Sequence, residues 1–97
     1  MLITTPIETG DLKGAIYDFP EINDILPMHE HTPNDVHITI ICKGSFKVHG
    51  NGWDKKIKAG DILDWNPYDP HEFISLEENS RLVNIVKKFG GILKDTV

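Results

Sequence analysis

The chain has 97 residues, 39% of them apolar and 26% charged, a composition that excludes collagen, a coiled coil and wholesale disorder and leaves room for one domain spanning residues 1–97. Ten Lys plus Arg against fifteen Asp plus Glu give a net charge of −5, and this sign argues against DNA or RNA as the main ligand, since nucleic-acid binding concentrates positive charge on one face. The single cysteine, Cys42, excludes a cystine scaffold, and its place in an apolar run marks it as a small buried hydrophobe.

Taken from the amino end, the start MLITTPIETG lacks a basic stretch followed by an apolar one, and no run approaches the ~20 apolar residues that span a bilayer. A soluble, cytoplasmic protein with no membrane partner is expected. β-Branched runs bounded by Gly, Pro, Asn and Asp then recur along the whole chain, predicting strands over residues 2–5, 12–18, 36–42, 45–49, 53–58, 61–65, 71–76 and 81–87. Gly50-Asn51-Gly52 contains Asn-Gly, the strongest short hairpin signal because both residues tolerate positive φ, and residues 58–61 read as a second tight turn. The six prolines, Pro6, Pro20, Pro27, Pro33, Pro67 and Pro70, all fall between these runs, where a missing N–H costs least. Short, evenly spaced strands predict an all-β, antiparallel sandwich or small barrel, whose closure removes exposed edges. After Phe89 the Gly90-Gly91 pair makes the last residues either a loose tail or an arm on a neighbouring subunit.

Along strand 36–42, His37, Thr39 and Ile41 share one face and should line a cavity, while Val36, Ile38, Ile40 and Cys42 face the other way. Both faces are apolar, which predicts cover on both sides and hence a homodimer, with Leu2 and Ile3 on the partner surface.

Histidine placement carries the chemistry. His29-Glu30-His31 puts two imidazoles on one face of an extended strand about 6.5 Å apart, a plausible clamp for an ion, with His37 and His71 able to complete a four-nitrogen site. His37 alone, on an apolar strand, reads equally as a core histidine. His49 sits beside the Asn-Gly turn and is expected on the surface; Trp53 and Trp65 are expected in core or interface.

The spacing resembles the cupin superfamily, whose first motif is His-x-His, a few residues, Glu, six residues and Gly, and whose second is Gly, five residues, Pro-x-Gly, two residues and His. Here His29 and His31 lead to His37, six residues before Gly44, and Gly60 leads at the family's distance to His71. The motif region covers residues 23–75. It departs from the family in His37 for Glu, Asn66 for Pro, Tyr68 for Gly, Asn23 where a Gly often precedes the first His, and Ser75 where an Asn often follows the last. The resemblance implies a double-stranded β-helix of jelly-roll type with one divalent transition metal, Fe, Mn, Ni or Zn, on His29, His31, His37 and His71, and it leaves His49 out.

What this implies for function is a small metal-dependent enzyme, foremost a dioxygenase-like oxidoreductase acting on a small diketone, enediol or catechol-like molecule. Two alternatives stand beside it: a non-catalytic protein that binds a small ligand through its metal as a sensor or sequestering protein, and a non-redox isomerase or lyase. Tyr17, Tyr68 and Glu72 are the candidate proton donors or substrate-orienting groups, each equally readable as a rim residue, and Glu30 and Asp35 are candidates to support the ligating imidazoles.

Overall fold

The computed structural model describes residues 1–10, 12–29, 35–66 and 69–88, with the backbone alone at 35, 36, 87 and 88. Among them run nine strands: β1 (Ile3–Glu8), β2 (Leu12–Phe19), β3 (Ile25–His29), β4 (Asp35–Lys43), β5 (Ser45–Gly50), β6 (Trp53–Lys58), β7 (Ile62–Asp64), β8 (His71–Ser75) and β9 (Ser80–Lys88). No helix among the described residues is long and apolar enough to cross a membrane. The strands form two antiparallel sheets, β1-β2-β9-β4-β7 and β3-β8-β5-β6. Period-two alternation turns Phe19, Ile41 and Leu82 of the first sheet toward Leu26, Phe46, Val48, Ile57 and Phe73 of the second, and these residues make one core. Phe46 stands edge-on to Phe19 at 4.7 Å and to Phe73 at 6.3 Å between ring centroids, the arrangement aromatic quadrupoles favour.

Eight strands match the predicted runs to within three residues, whereas β3 was not predicted. Its sequence, ILPMH, has a proline at its centre. Contrary to expectation, Pro27 lies inside β3 and Pro6 inside β1. Both strands are sheet edges, so each proline can turn its nitrogen away from the ladder without losing a bond.

Two bulges decide which way key side chains face. In β3, Leu26 pairs with Phe73 and His29 with His71, so one extra residue on β3 separates two inward-facing positions. Without it, His29 would point outward. In β4, Ile41 pairs with Leu82 and Lys43 with Arg81. Cys42 is the extra residue there and is exposed, which corrects the expectation of a buried thiol: it lies on the outer face that alternation assigns it, opposite buried Ile41.

The turns follow the sequence closely. Gly50 pairs with Trp53 across Asn51-Gly52; among these two, only Gly52 takes a positive φ, 77°, so one left-handed residue suffices to close the hairpin. Asn23 has φ 69°, the left-handed region that favours Gly and next Asn. Its N–H donates to the Ser75 carbonyl at 2.9 Å, while the Ser75 hydroxyl donates to the Glu21 carbonyl at 2.7 Å and accepts from the Asp24 N–H at 3.0 Å. The two motif departures Asn23 and Ser75 therefore meet in one turn.

Candidate functional site

Three of the four sequence-derived histidines come together at one end of the barrel. His37 rises from β4 and His71 from β8, at 1% and 0% exposure, and the β3 bulge swings His29 in beside them. Ring centroids are 4.3 Å apart for His29 and His71, 5.9 Å for His37 and His71, and 6.5 Å for His29 and His37. His31 lies outside the described residues, as do Glu30 and Tyr68, and so does the segment 90–97.

Two of the rings are oriented by the same device. Nδ1 of His29 lies 2.8 Å from the Pro27 carbonyl and Nδ1 of His71 lies 2.9 Å from the Asp69 carbonyl. A carbonyl only accepts, so Nδ1 carries the proton and donates in each case, and Nε2 holds the lone pair that can accept or ligate. Trp65 lies flat on His71, centroids 3.7 Å apart and planes 9° from parallel. The Trp65 indole N–H donates to Thr39 Oγ1 at 2.9 Å, and the Thr39 hydroxyl donates to Asn84 Oδ1 at 2.7 Å. Imidazoles anchored through Nδ1 suit a transition metal. Among the described residues alone, however, no set of three or more His, Cys, Asp or Glu side chains stands in metal-holding geometry.

A cavity of about 480 Å³ opens beside the rings between β2, β3, β4 and β9, lined by His29, His37, Tyr17, Asn84 and the apolar Leu26, Met28 and Val86 among others. This volume lies within the range of small-molecule sites. Burial pushes the Tyr17 phenol above its usual value, so it keeps its proton at neutral pH. Among the described residues the lining has no carboxylate, Lys or Arg, and the polar side chains they present are imidazole, phenol and amide.

The other sequence candidates fall elsewhere. Glu72, one residue from His71, faces the opposite side of β8 and bonds to His49 Nε2 at 2.6 Å. His49 is accordingly half-buried and paired across strands, a correction to its expected free exposure. Trp53 and Trp65 both pack against the core. Thr39 and Ile41 share the buried face of His37, as alternation predicts. Asn84 was missed, although its signal is present: it is the one polar residue within Leu82-Val83-Asn84-Ile85-Val86, in phase with inward-facing Leu82.

At the level of sequence, no family model matches the chain and no curated protein is similar to it. Solved structures are similar. A protein with a double-stranded β-helix domain from Klebsiella pneumoniae superposes with a TM-score of 0.78 at 24% identity, over 90% of this chain and 76% of the other. KdgF from a Halomonas species gives 0.77 at 19% identity, over 90% and 80%. A cupin superfamily protein from Desulfitobacterium hafniense gives 0.76 at 10% identity, over 91% and 78%. Antiparallel strands in two facing sheets, together with these superpositions, establish that the chain has the double-stranded β-helix, jelly-roll fold of the cupins.

Proposed function

We propose that the chain is a small metal-dependent enzyme in which His29, His31, His37 and His71 hold one divalent transition ion, and in which the adjacent cavity takes a small oxygenated substrate of the diketone, enediol or catechol type for dioxygenase-like oxidation. The observation that carries this reading is the convergence of three imidazoles within 6.5 Å, two of them fixed through Nδ1 to backbone carbonyls. When bound, the ion supplies Lewis acidity toward a substrate oxygen and, if it is iron or manganese, redox capacity. The chain's own part is to orient and to exclude. Trp65 fixes the plane of His71, Leu26, Met28 and Val86 keep the cavity wall apolar, and Tyr17 offers a phenol that stays protonated.

Among the described residues the lining offers no carboxylate as a general base for isomerase or lyase chemistry, and non-catalytic ligand binding is kept as the second reading. Metal analysis of the purified protein, then oxygen uptake by the iron- or manganese-loaded form with a panel of diketones and catechols, separates them. Uptake supports the enzyme; tight substrate binding without uptake supports the binder; a protein that takes up no metal overturns both.

We infer also that the outer face of the first sheet joins a second copy of this chain. Cross-strand rows there read Thr5, Ile16, Val83, Ile40 and Ile62, and Ile7, Gly14, Ile85, Ile38 and Asp64. Beyond them lies the Asp18–Arg81 ion pair, 2.7 Å long. Five strands about 4.8 Å apart and some seven residues long present roughly 600 Å² in projection, near the ~800 Å² per partner of a standard interface. Leu2 packs against the core, so of the two N-terminal residues first expected in the interface only Ile3 is turned to this face. Sedimentation equilibrium should give a dimer for the wild type and a monomer for Ile40→Lys; a monomeric wild type at micromolar concentration removes the interface.

A further inference from the structure

We propose that Asn84 is a ligand-recognition donor of the cavity, its amide turned by a Trp65–Thr39 relay so that its NH2 group meets a carbonyl or carboxylate oxygen of the bound molecule. The inference rests on the reading of the cavity as a ligand site.

The direction of the relay follows from the groups in it. An indole N–H can only donate, so Thr39 Oγ1, 2.9 Å from Trp65 Nε1, is an acceptor there. Its one proton is left for Asn84, 2.7 Å away. The amide atom facing it must then be the oxygen, because the opposite flip would strand the Thr39 proton: it has no other acceptor among the described residues. With Oδ1 committed to β4, Nδ2 is turned away from it. On the other side of Asn84 stands Ala15 of β2, whose methyl accepts nothing. Asn84 is 5% exposed and lines the cavity. Among the described residues, no hydrogen bond is made by Nδ2.

A donor held in one orientation at the cavity wall meets a matching acceptor without reorganising, whereas a ligand lacking the acceptor displaces its water and leaves it unpaired, which is how such an amide selects one ligand over another. Asn84 lies two residues along β9 from Val86, the partner of His37. The offset of about 7 Å along the strand is shared between the contact at the histidines, the ligand itself and the amide hydrogen bond, which leaves room for a small oxygenated molecule. Among the described lining residues, which include no Lys or Arg, the amide and the Tyr17 phenol are neutral donors available to such an oxygen.

Calorimetric titration of the zinc-loaded protein with pyruvate, which carries both oxygen types, tests this against imidazole, which offers the amide no acceptor once its other nitrogen is engaged. Asn84→Leu should weaken pyruvate about tenfold, the loss of one good hydrogen bond, and leave imidazole unchanged. Thr39→Val should weaken pyruvate by a smaller factor through loss of orientation, and Thr39→Ser, which keeps the hydroxyl, should restore it. Equal pyruvate affinity in Asn84→Leu and wild type overturns the proposal while the cavity remains a ligand site, and an equal loss for both ligands reduces Asn84 to packing and overturns it too. A wild-type protein that takes neither zinc nor pyruvate fells the parent reading and this one with it. Should Asn84→Leu not fold, the wild-type side-chain amide is followed directly by nitrogen-15 NMR. Its resonances should shift on adding pyruvate, and unmoved resonances count against the assignment.

Discussion

Going along β8, the barrel changes character within three residues. Phe73 and Ser75 close one end with a phenylalanine cluster and a hydrogen-bonded turn, whereas His71, equally buried, opens the other end onto imidazoles and a cavity. β4 repeats the division, with Ile41 on the packed side and His37 on the polar side of Thr39. The same alternation that buries apolar side chains at one end delivers imidazoles at the other, so packing and the candidate site are separated along the strands rather than between elements. The difference is one of tolerance: the packed end depends on volume, the histidine end on orientation.

The largest expected effect is at the packed end. Phe46 is fully buried and touches the rings of both Phe19 and Phe73, so Phe46→Ala should cost about 3–5 kcal/mol, read from urea unfolding. His37→Leu at the opposite end should leave the metal-free protein as stable as wild type or more so, since sites kept for function are often not optimal for stability. Comparable losses at both positions would mean that the two ends are not separate.

Metal affinity should show the reverse. His37→Ala should reduce it by more than the ~10–100-fold typical of losing an outer partner, while His49→Ala, which removes only the pair with Glu72 on the far side of the sheet, should leave it unchanged. His37→Glu restores the acidic residue seen more often at that motif position, and should bind the metal still. Isothermal titration with zinc checks all three; a His49→Ala protein that loses zinc would break the assignment.

Much of this division was legible in the residues. The Gly44 and Gly60 spacings located His37 and His71, and the alternation of residues 36–42 gave the inward face of β4. What was hidden depends on backbone irregularity. Nothing in ILPMH reveals that one extra residue turns His29 inward, and Pro27, which marks the bulge, hid the strand. Cys42 was misplaced for a different reason: its apolar run suggested burial, although alternation had already put it on the outer face. The Glu72–His49 bond and the Trp65–Thr39–Asn84 relay join residues 23, 26 and 45 positions apart, and only strand register brings them together.

A more moderate effect belongs to the turn at the packed end. Asn23→Ala puts a methyl-bearing residue without a local polar side chain at φ 69°, and should cost about 1 kcal/mol, whereas Asn23→Gly should be close to neutral. Equal losses for Ala and Gly would shift the cause from backbone strain to the Asn side chain. Neither change should alter zinc affinity, as the turn lies at the end away from the histidines.

The smallest effect expected is a pH dependence confined to that same turn. Asp24 accepts the Glu21 N–H at 2.9 Å, and this bond first, then its pairing with the terminal amino group, holds the carboxyl below its ordinary value of 3.8. A carboxyl with a folded value below its unfolded one contributes stability that is complete above the unfolded value and is lost as pH falls through the folded value. Wild-type unfolding midpoints should therefore fall more steeply than those of Asp24→Asn as pH drops from about 5 to about 2, because the amide can still accept the Glu21 N–H but has no proton to gain. From that window up to the range where the terminal amino group, whose value Asp24 raises, gives up its proton, the two profiles should run parallel. Parallel profiles throughout would assign the acid sensitivity to other carboxylates and leave the Asp24 bond without a measurable role, even though its geometry is as well made as that of the His71 anchor at the opposite end.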